Sequence, residues 1–356
     1  MPERLSAALI EALTLAAPGG PLREGLDRIL QANLGALVVV GDGPEVLSIC
    51  SGGFLLDAEY TPQRLSELAK MDGAIILAAD ASRIARANVH LVPDPVATTE
   101  TGTRHRTAER VARSLDVPVI TVSEDLSVIS VYRGAHKRQL APITRLLGRA
   151  NQALQTLERY RDRLDIVTNA LSALEVEDMV TMRDVVTVLQ RTEMVRRIAE
   201  EVDGYSIELG ADGRLVRLQL DEMLANVDDE RRQVLLDYLP VGSEHGVDDA
   251  LEALADLSTE SLLDLKMVAG VLQVGNSAPD LESSLHPHGY RLLSKIPRLP
   301  SQVARNIVSR YGGLQEIMRA SVDDLDKVEG IELTGARFVK EGLARLAETS
   351  ILDRLG

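Results

Sequence analysis

Two short stretches hold most of the chemistry this sequence could do. The first, "TETGTRHRTAER" (99–110), sets Arg104, His105, Arg106 and Arg110 within seven residues, behind Gly102 and among threonines. Like charges so close repel, so the segment calls for an anionic counterpart: a surface carboxylate, a nucleic-acid backbone or a small phosphate ligand. Gly102 ends a loop, Thr103 can cap, and "RTAERVARSL" begins a helix. The first N–H groups and positive dipole end of that helix add to the attraction. The second stretch, "AKMDGAIILAAD" (69–80), puts Asp72 and Gly73 at a helix-to-strand junction. Asp-Gly is first of all a common turn. A glycine at a strand start also lets a ligand approach the backbone. A carboxylate beside it can hold a divalent metal or deprotonate a hydroxyl.

These residues need a rigid frame, and the flanking pattern supplies one. Residues 4–34 read as two amphipathic helices broken at "APGGP". "ALVVVG" (36–41), "EVLSIC" (45–50), "GAIILAAD" (73–80), "NVHLVP" (88–93), "VPVITVS" (117–123) and "LSVISVYR" (126–133) read as strands. "TPQRLSELAKM" (61–71) starts a helix with a Thr N-cap and Pro at the first helical position. The alternation predicts an α/β domain with a mixed sheet. From about residue 140, apolar residues from Ile143 to Leu174 step by three and four, which predicts one long amphipathic helix. Further helices follow to about 275, so the middle third is an all-helical spine, with no catalytic constellation. "GNSAPDLESSLHPHGY" (275–290) reads as a linker in which His286 and His288 bracket a proline.

Composition narrows the class. Aromatics make up 3% of the chain, with no Trp, so Leu, Val, Ile and Ala must build the core. The single cysteine, Cys50, excludes an internal disulfide and a Cys-based zinc site, and its apolar setting predicts a buried structural thiol. No apolar run approaches the ~20 residues needed to span a membrane, and the N-terminal stretch lacks a signal-peptide pattern. A cytoplasmic protein is the expectation. The net charge of −15 argues against nonspecific nucleic-acid coating. Residues 287–356, however, hold 11 Lys/Arg against 9 Asp/Glu (+2), while the rest holds 28 against 45 (−17). The tail is the one region compatible with a polyanion.

"DGA" at 72–74 followed 30 residues later by "GTRHRTAER" resembles the signature of the diadenylate cyclase family. With the helical spine and tail, the whole chain resembles the DNA integrity scanning branch of that family. The resemblance implies a fold of three domains: 1–140 the cyclase domain, 141–286 the helical oligomerisation spine, 287–356 a helix-hairpin-helix DNA-binding domain. It implies that Asp72 ligates Mg²⁺ or Mn²⁺ and helps activate a ribose 3′-hydroxyl. Gly73 would let the nucleotide pack on the backbone, and Leu91 would read the adenine edge. Thr103, Arg104, His105, Arg106 and Thr107 would cradle the triphosphate of ATP, with Ser123 a weaker phosphate candidate. The implied reaction is attack of one ATP's 3′-oxygen on the α-phosphorus of another, twice, releasing two pyrophosphates. A two-fold symmetric product needs two identical sites face to face, and the resemblance implies a homo-octamer that provides them. The alternatives are a non-catalytic binder of branched DNA that senses nucleotide, and an ATP-hydrolysing or adenylylating enzyme.

The tail fits the helix-hairpin-helix pattern incompletely. In "KVEGIELTGARFVKEGL", Gly330 is present but Glu332 stands at the second glycine position. In the upstream hairpin, "KIPRLPSQVA" (295–304), Arg298 and Pro300 replace both glycines. A Glu at a phosphate-facing turn repels the backbone, and Pro removes a donor. Lys295, Arg298, Arg305, Arg337 and Lys340 are the cations expected to compensate.

Overall fold

The computed structural model describes residues 6–124, 126–240, 246–272 and 280–355. They divide into two compact units, one of Pro2–Ala153 with Glu201–Gln219 and one of Leu154–Glu200 with Leu220–Gly356. The N-terminal part is α/β. Its elements run α1 (Ala7–Leu15), α2 (Pro21–Gln31), β1 (Ala36–Val40), α3 (Pro44–Ser48), β2 (Cys50–Ser51), β3 (Phe54–Glu59), α4 (Pro62–Leu68), β4 (Ala74–Leu77), β5 (Arg83–Leu91), α5 (Thr103–Leu115), β6 (Val119–Ser123), β7 (Val128–Arg133) and β8 (His136–Gln139).

The strands form one sheet in the order β2-β5-β4-β1-β6-β7-β8, with β3 also paired to β5. β1 and β4 are parallel and the other pairs antiparallel, so the sheet is mixed, as expected. Every residue of β1 is buried, and alternate side chains enter different cores. Val38 and Val40 pack with Leu13, Leu26, Ile29 and Leu65 of α1, α2 and α4. Leu37 and Val39 pack on the opposite face with Val46 of α3 and Ala108, Val111 and Ala112 of α5. Three layers result, with the sheet in the middle.

Four segments differ from the sequence expectation. "EVLSIC" is not a strand: Gly43 caps and Pro44 opens the short helix α3, leaving only Cys50 and Ser51 extended. Cys50 is half-buried, its thiol on the Val46 carbonyl, and burial pushes its pKa up. β3 carries almost no buried residue, and β8 is the fully exposed "HKRQ". β8 has no apolar residue, and β3, although Phe54, Leu56 and Ala58 alternate along it, buries none of them; backbone pairing at the sheet margin makes both extended. β5, finally, begins five residues earlier than expected.

Beyond residue 140 the described chain is almost wholly helical. α6 (Ile143–Glu177) is the long helix, buried along Leu146, Ala150, Leu154, Leu157, Leu164 and Leu171. α7 (Met182–Leu209), α8 (Arg214–Leu224), α9 (Val227–Tyr238), α10 (Val247–Asp256), α11 (Thr259–Leu263) and α12 (Leu265–Leu272) follow. Of the expected linker, residues 275–279 lie outside the described residues. The remainder is anchored: Ser284 bridges Thr181, and Leu285 N–H donates to the Val180 carbonyl. His286 bonds Asp178 through Nδ1 (2.9 Å), while His288 Nδ1 bonds the Asp237 carbonyl (2.8 Å), so the two imidazoles have separate partners.

The tail holds α13 (Tyr290–Ser294), α14 (Ser301–Tyr311), α15 (Leu314–Arg319), α16 (Val322–Leu325) and α17 (Leu333–Leu355) around its own core of Leu292, Ile307, Ile317, Leu325 and Val339. Its junction with the spine is polar and buried. The Asp237 carboxylate accepts the N–H groups of Gly289, Tyr290 and Arg291 at 2.6–2.8 Å, which caps α13. Burial and the neighbouring charge of Glu175 push the Asp237 carboxyl up to about 7, against the pull of those amides. Arg291 is fully buried and pairs with Glu175 (2.9 Å) and Glu230 (2.7 Å).

Candidate active site

The ends of several elements meet at one cleft of about 460 Å³, within the ~300–1,000 Å³ typical of small-molecule sites. Leu37 lies near the start of β1, Asp72 and Gly73 precede β4, Val89, His90 and Leu91 end β5, Gly102 to His105 with Thr107 lie at the start of α5, and Ser123 ends β6 with Glu124 just after it. Because β1 and β4 are parallel, their N-terminal ends lie together. The hydrogen-bonded run of β4 against β5 brings Leu91 to the same edge.

Gly73 has φ +100, and a Cβ placed there meets backbone atoms of Asn88 and Val89 at 2.9–3.0 Å. Glycine is therefore required by the sheet itself, before any ligand is considered. Asp72, beside it, is held away from the protein, its side chain fully exposed. At the other wall Gly102 caps α5 with φ +84. The first intrahelical bond runs from the Arg106 N–H to the Gly102 carbonyl, so the N–H groups of Thr103, Arg104 and His105 face outward from the helix start. Arg104 reaches across the mouth to within 3.8 Å of Asp72. Its guanidinium lies so close to the backbone of Gly35 that a Cβ there would be 2.0 Å from Nη1. Gly35 gave no sequence signal, since only the fold makes it a seat for an arginine.

The basic stretch separates into two jobs. Arg104 and His105 line the cleft, and so do Thr103 and Thr107. Arg106 does not: its Nε donates to the Glu100 carbonyl (3.0 Å). Arg110 likewise donates to the Val96 carbonyl (3.0 Å) and Arg113 to the Ala97 carbonyl (2.9 Å). These arginines staple the irregular segment 92–102 along α5. His105 is half-buried, with Nδ1 2.9 Å from the Tyr132 hydroxyl and 3.2 Å from Thr121 Oγ1. Burial lowers its pKa. Ser123 Oγ accepts the Leu126 N–H at 3.4 Å.

Among the described residues no group of three or more His, Cys, Asp or Glu gathers as a metal cage. The donor set instead suits a hard divalent cation that takes one carboxylate and completes its shell with substrate phosphates. Asp72 offers that carboxylate.

In the tail, Arg298 (φ +62) and Gly330 (φ +86) turn the two hairpins, at corresponding places before α14 and α17. Both line a recess of about 190 Å³ with Pro300 and Glu332. Arg298, Arg305 and Arg337 are exposed. Lys295 is not available: it bonds the Ser172 hydroxyl (2.8 Å), and burial lowers its pKa to about 8. Lys340 holds the carbonyls of Met318 and Ala320 at the end of α15. No helix among the described residues is long and apolar enough to cross a membrane.

Comparison with known proteins agrees with this architecture. Residues 23–137 match the family model described as DisA bacterial checkpoint controller nucleotide-binding, and residues 140–281 match its linker region. A DNA integrity scanning protein DisA from Frankia casuarinae is 52% identical over 344 residues, 96% of each chain. That of Kineococcus radiotolerans is 52% identical over 357 residues, 99% of each. The Streptomyces coelicolor protein is 51% identical, covering 96% of this chain and 93% of its own. With nucleotide-binding domain and linker both matched and the likeness running nearly end to end, the chain belongs to the DisA family of bacterial checkpoint controllers.

Proposed function

We propose that the protein condenses two ATP molecules into cyclic di-AMP with release of two pyrophosphates, and that its tail contacts branched DNA. Membership of the DisA family makes it a diadenylate cyclase, a nucleotidyltransferase. The observation that carries the residue assignment is the pairing of opposite charges at one cleft mouth: Asp72 and Arg104 stand 3.8 Å apart. A nucleotide triphosphate needs both kinds of group, a carboxylate to hold its counter-cation and cationic or N–H donors for its oxygens.

In this reading the free N–H groups at the start of α5, with Arg104, His105, Thr103 and Thr107, bind and orient the triphosphate. The Leu91 backbone at the end of β5 faces the base, and the positive-φ turn at Gly73 keeps the floor flat enough for the ribose. Asp72 holds the divalent cation, Mg²⁺ or Mn²⁺, whose contribution when bound is charge neutralisation and a lowered 3′-hydroxyl pKa. The protein does little covalent work; it positions and neutralises. The open, exposed setting of Asp72 suits a site completed by a second copy, as a two-fold symmetric product demands. A homo-octamer would pair such sites. The test is direct: the purified protein with ATP and Mn²⁺ or Mg²⁺ should yield cyclic di-AMP and pyrophosphate by mass analysis. ADP or AMP as sole product would replace the reading with hydrolysis.

A further inference from the structure

Behind the cleft wall a buried polar chain ends on His105. Tyr132, on β7, is 1% exposed, and Thr121, on β6, is fully buried. The Tyr132 hydroxyl is 2.9 Å from His105 Nδ1 and 3.4 Å from Glu100 Oε1. Glu100 Oε1 is itself held by Lys137 Nζ at 2.5 Å, and that ammonium stands 5.6 Å above the Tyr132 ring. Thr121 Oγ1 lies 3.2 Å from the same imidazole nitrogen and bonds Tyr132 as well.

A phenol has one proton to give. Directed at Glu100, it turns the phenol oxygen toward Nδ1 as an acceptor, which draws the proton of a neutral ring to Nδ1 and leaves Nε2 bare. A bare Nε2 facing phosphate oxygens sets acceptor against acceptor. Directed at Nδ1, it leaves the proton on Nε2, on the far side of the ring, where it is a donor. The distances favour the second arrangement, because 2.9 Å is a good hydrogen bond and 3.4 Å is a poor one. Lys137 already supplies Glu100 Oε1 with a charged donor. We propose that Tyr132 is a positioning residue: its phenol donates to His105 Nδ1, fixes the ring and its tautomer, and so presents Nε2–H to an anionic oxygen of the bound nucleotide.

The surroundings keep that donor neutral. Burial lowers the His105 pKa, and Lys137 and Arg104 add to the lowering, while Glu100 opposes it. Burial together with Glu100 and Glu109 raises the Tyr132 pKa, so the phenol keeps its proton. Tyr132 and Thr121 are unremarkable in sequence, since strand residues facing a core are ordinarily there for packing.

The proposal rests on the cleft's being the nucleotide site, and a mutant cycle separates the two ideas. Affinity for a non-hydrolysable ATP analogue and kcat/KM for cyclic di-AMP formation are measured for the wild type, Tyr132→Phe, His105→Ala and the double variant, in the full-length protein. Tyr132→Phe keeps the ring in the core, and its thermal midpoint checks folding. Expected are a loss of about tenfold for Tyr132→Phe in the wild-type background, the scale of one hydrogen bond, and no further loss when His105 is already Ala. Equal losses in both backgrounds would mean that Tyr132 acts through general packing and would overturn the proposal. Glu100→Gln should match the wild type in analogue affinity. A loss as large as that of Tyr132→Phe would put the phenol's proton on Glu100 and overturn the tautomer. Should Tyr132→Phe fail to fold, Thr121→Val in the same two backgrounds reads the same coupling, smaller but still absent without His105. If the wild type makes no cyclic di-AMP, the cyclase reading fails, yet the cycle in analogue affinity still decides the role of Tyr132.

Discussion

Asp72 Oδ1 and Arg104 Nη2 face each other at 3.8 Å across the mouth of the cleft, one from the turn before β4, the other from the first turn of α5. An exposed pair at this distance adds little to stability. In the proposed function its value lies in holding a carboxylate and a guanidinium where a cation and a polyphosphate would each find a partner. Asp72→Asn keeps the size and removes the charge. Synthesis should fall by ~10²-fold or more, as for loss of a metal-holding or general-base group, with the thermal midpoint unchanged. Near-normal turnover would end the assignment.

Arg104 and Arg106, alike in sequence, should part in function. Arg104→Ala removes a cleft guanidinium and should weaken binding of a non-hydrolysable ATP analogue by about 1.5–3 kcal/mol. Arg106→Ala removes a staple on the Glu100 carbonyl and should cost less affinity. Titration calorimetry on both variants checks the split; equal losses would restore Arg106 to the phosphate contacts.

Gly35→Ala tests the seat of that guanidinium from the other side. The added methyl would occupy the space of Arg104 Nη1, the far end of a flexible side chain, so the fold should tolerate it while Arg104 swings away. Analogue affinity should drop in the direction of Arg104→Ala, with little change in thermal midpoint. Gly73→Ala should do the reverse damage. Its Cβ would press on the immovable backbone of β5 at φ +100, costing about 1–3 kcal/mol or more of stability.

What the sequence could and could not say follows from the range of the interactions. The buried β1, the Thr61-capped α4 and the periodic α6 are local patterns, legible because the residues that form them are adjacent. The DGA and GTRHRT stretches are legible as a pair because their chemistry is dense. The division of labour among the arginines is not legible, since the Glu100, Val96 and Ala97 carbonyls that take Arg106, Arg110 and Arg113 look like any other carbonyls. Nor is the fate of Lys295, whose partner Ser172 lies 123 residues away. β8 lacks an apolar face, so no periodicity announces it, whereas β3 does carry one in Phe54, Leu56 and Ala58, although none of the three is buried.

Arg291 should matter more for stability than any surface charge. It neutralises buried Glu175, which also accepts the Tyr238 hydroxyl. Arg291→Met would leave that carboxylate buried and unpaired, at a cost of roughly 3–5 kcal/mol. Chemical denaturation should show a large loss confined to the transition that involves the spine and tail. A loss below about 1 kcal/mol would mean that water reaches Glu175.

The tail is the least orthodox part of the molecule, and the structure narrows what it can do. If it binds DNA, it does so with fewer cations than its charge suggests. Lys295 is half-buried and bonded to Ser172, and Lys340 is committed to two helix-end carbonyls, which leaves Arg298, Arg305 and Arg337 exposed near the hairpins. About three phosphates per tail give a shallow salt slope, on the order of −3, and weak single-tail affinity. A branched substrate engaging several tails of an oligomer would gain through avidity, so a four-way junction should bind more tightly than plain duplex. Glu332, exposed beside Gly330 at the hairpin recess, opposes a phosphate there. Glu332→Gly should therefore strengthen junction binding, while Arg298→Ala with Arg337→Ala should weaken it and flatten the salt slope. Point variants are the right probe here, because deleting the tail would strip Arg291 from Glu175 and unsettle the spine. Gel shifts across a salt series decide the matter: if the double arginine variant binds the junction as well as the wild type does, the contact lies elsewhere on the chain.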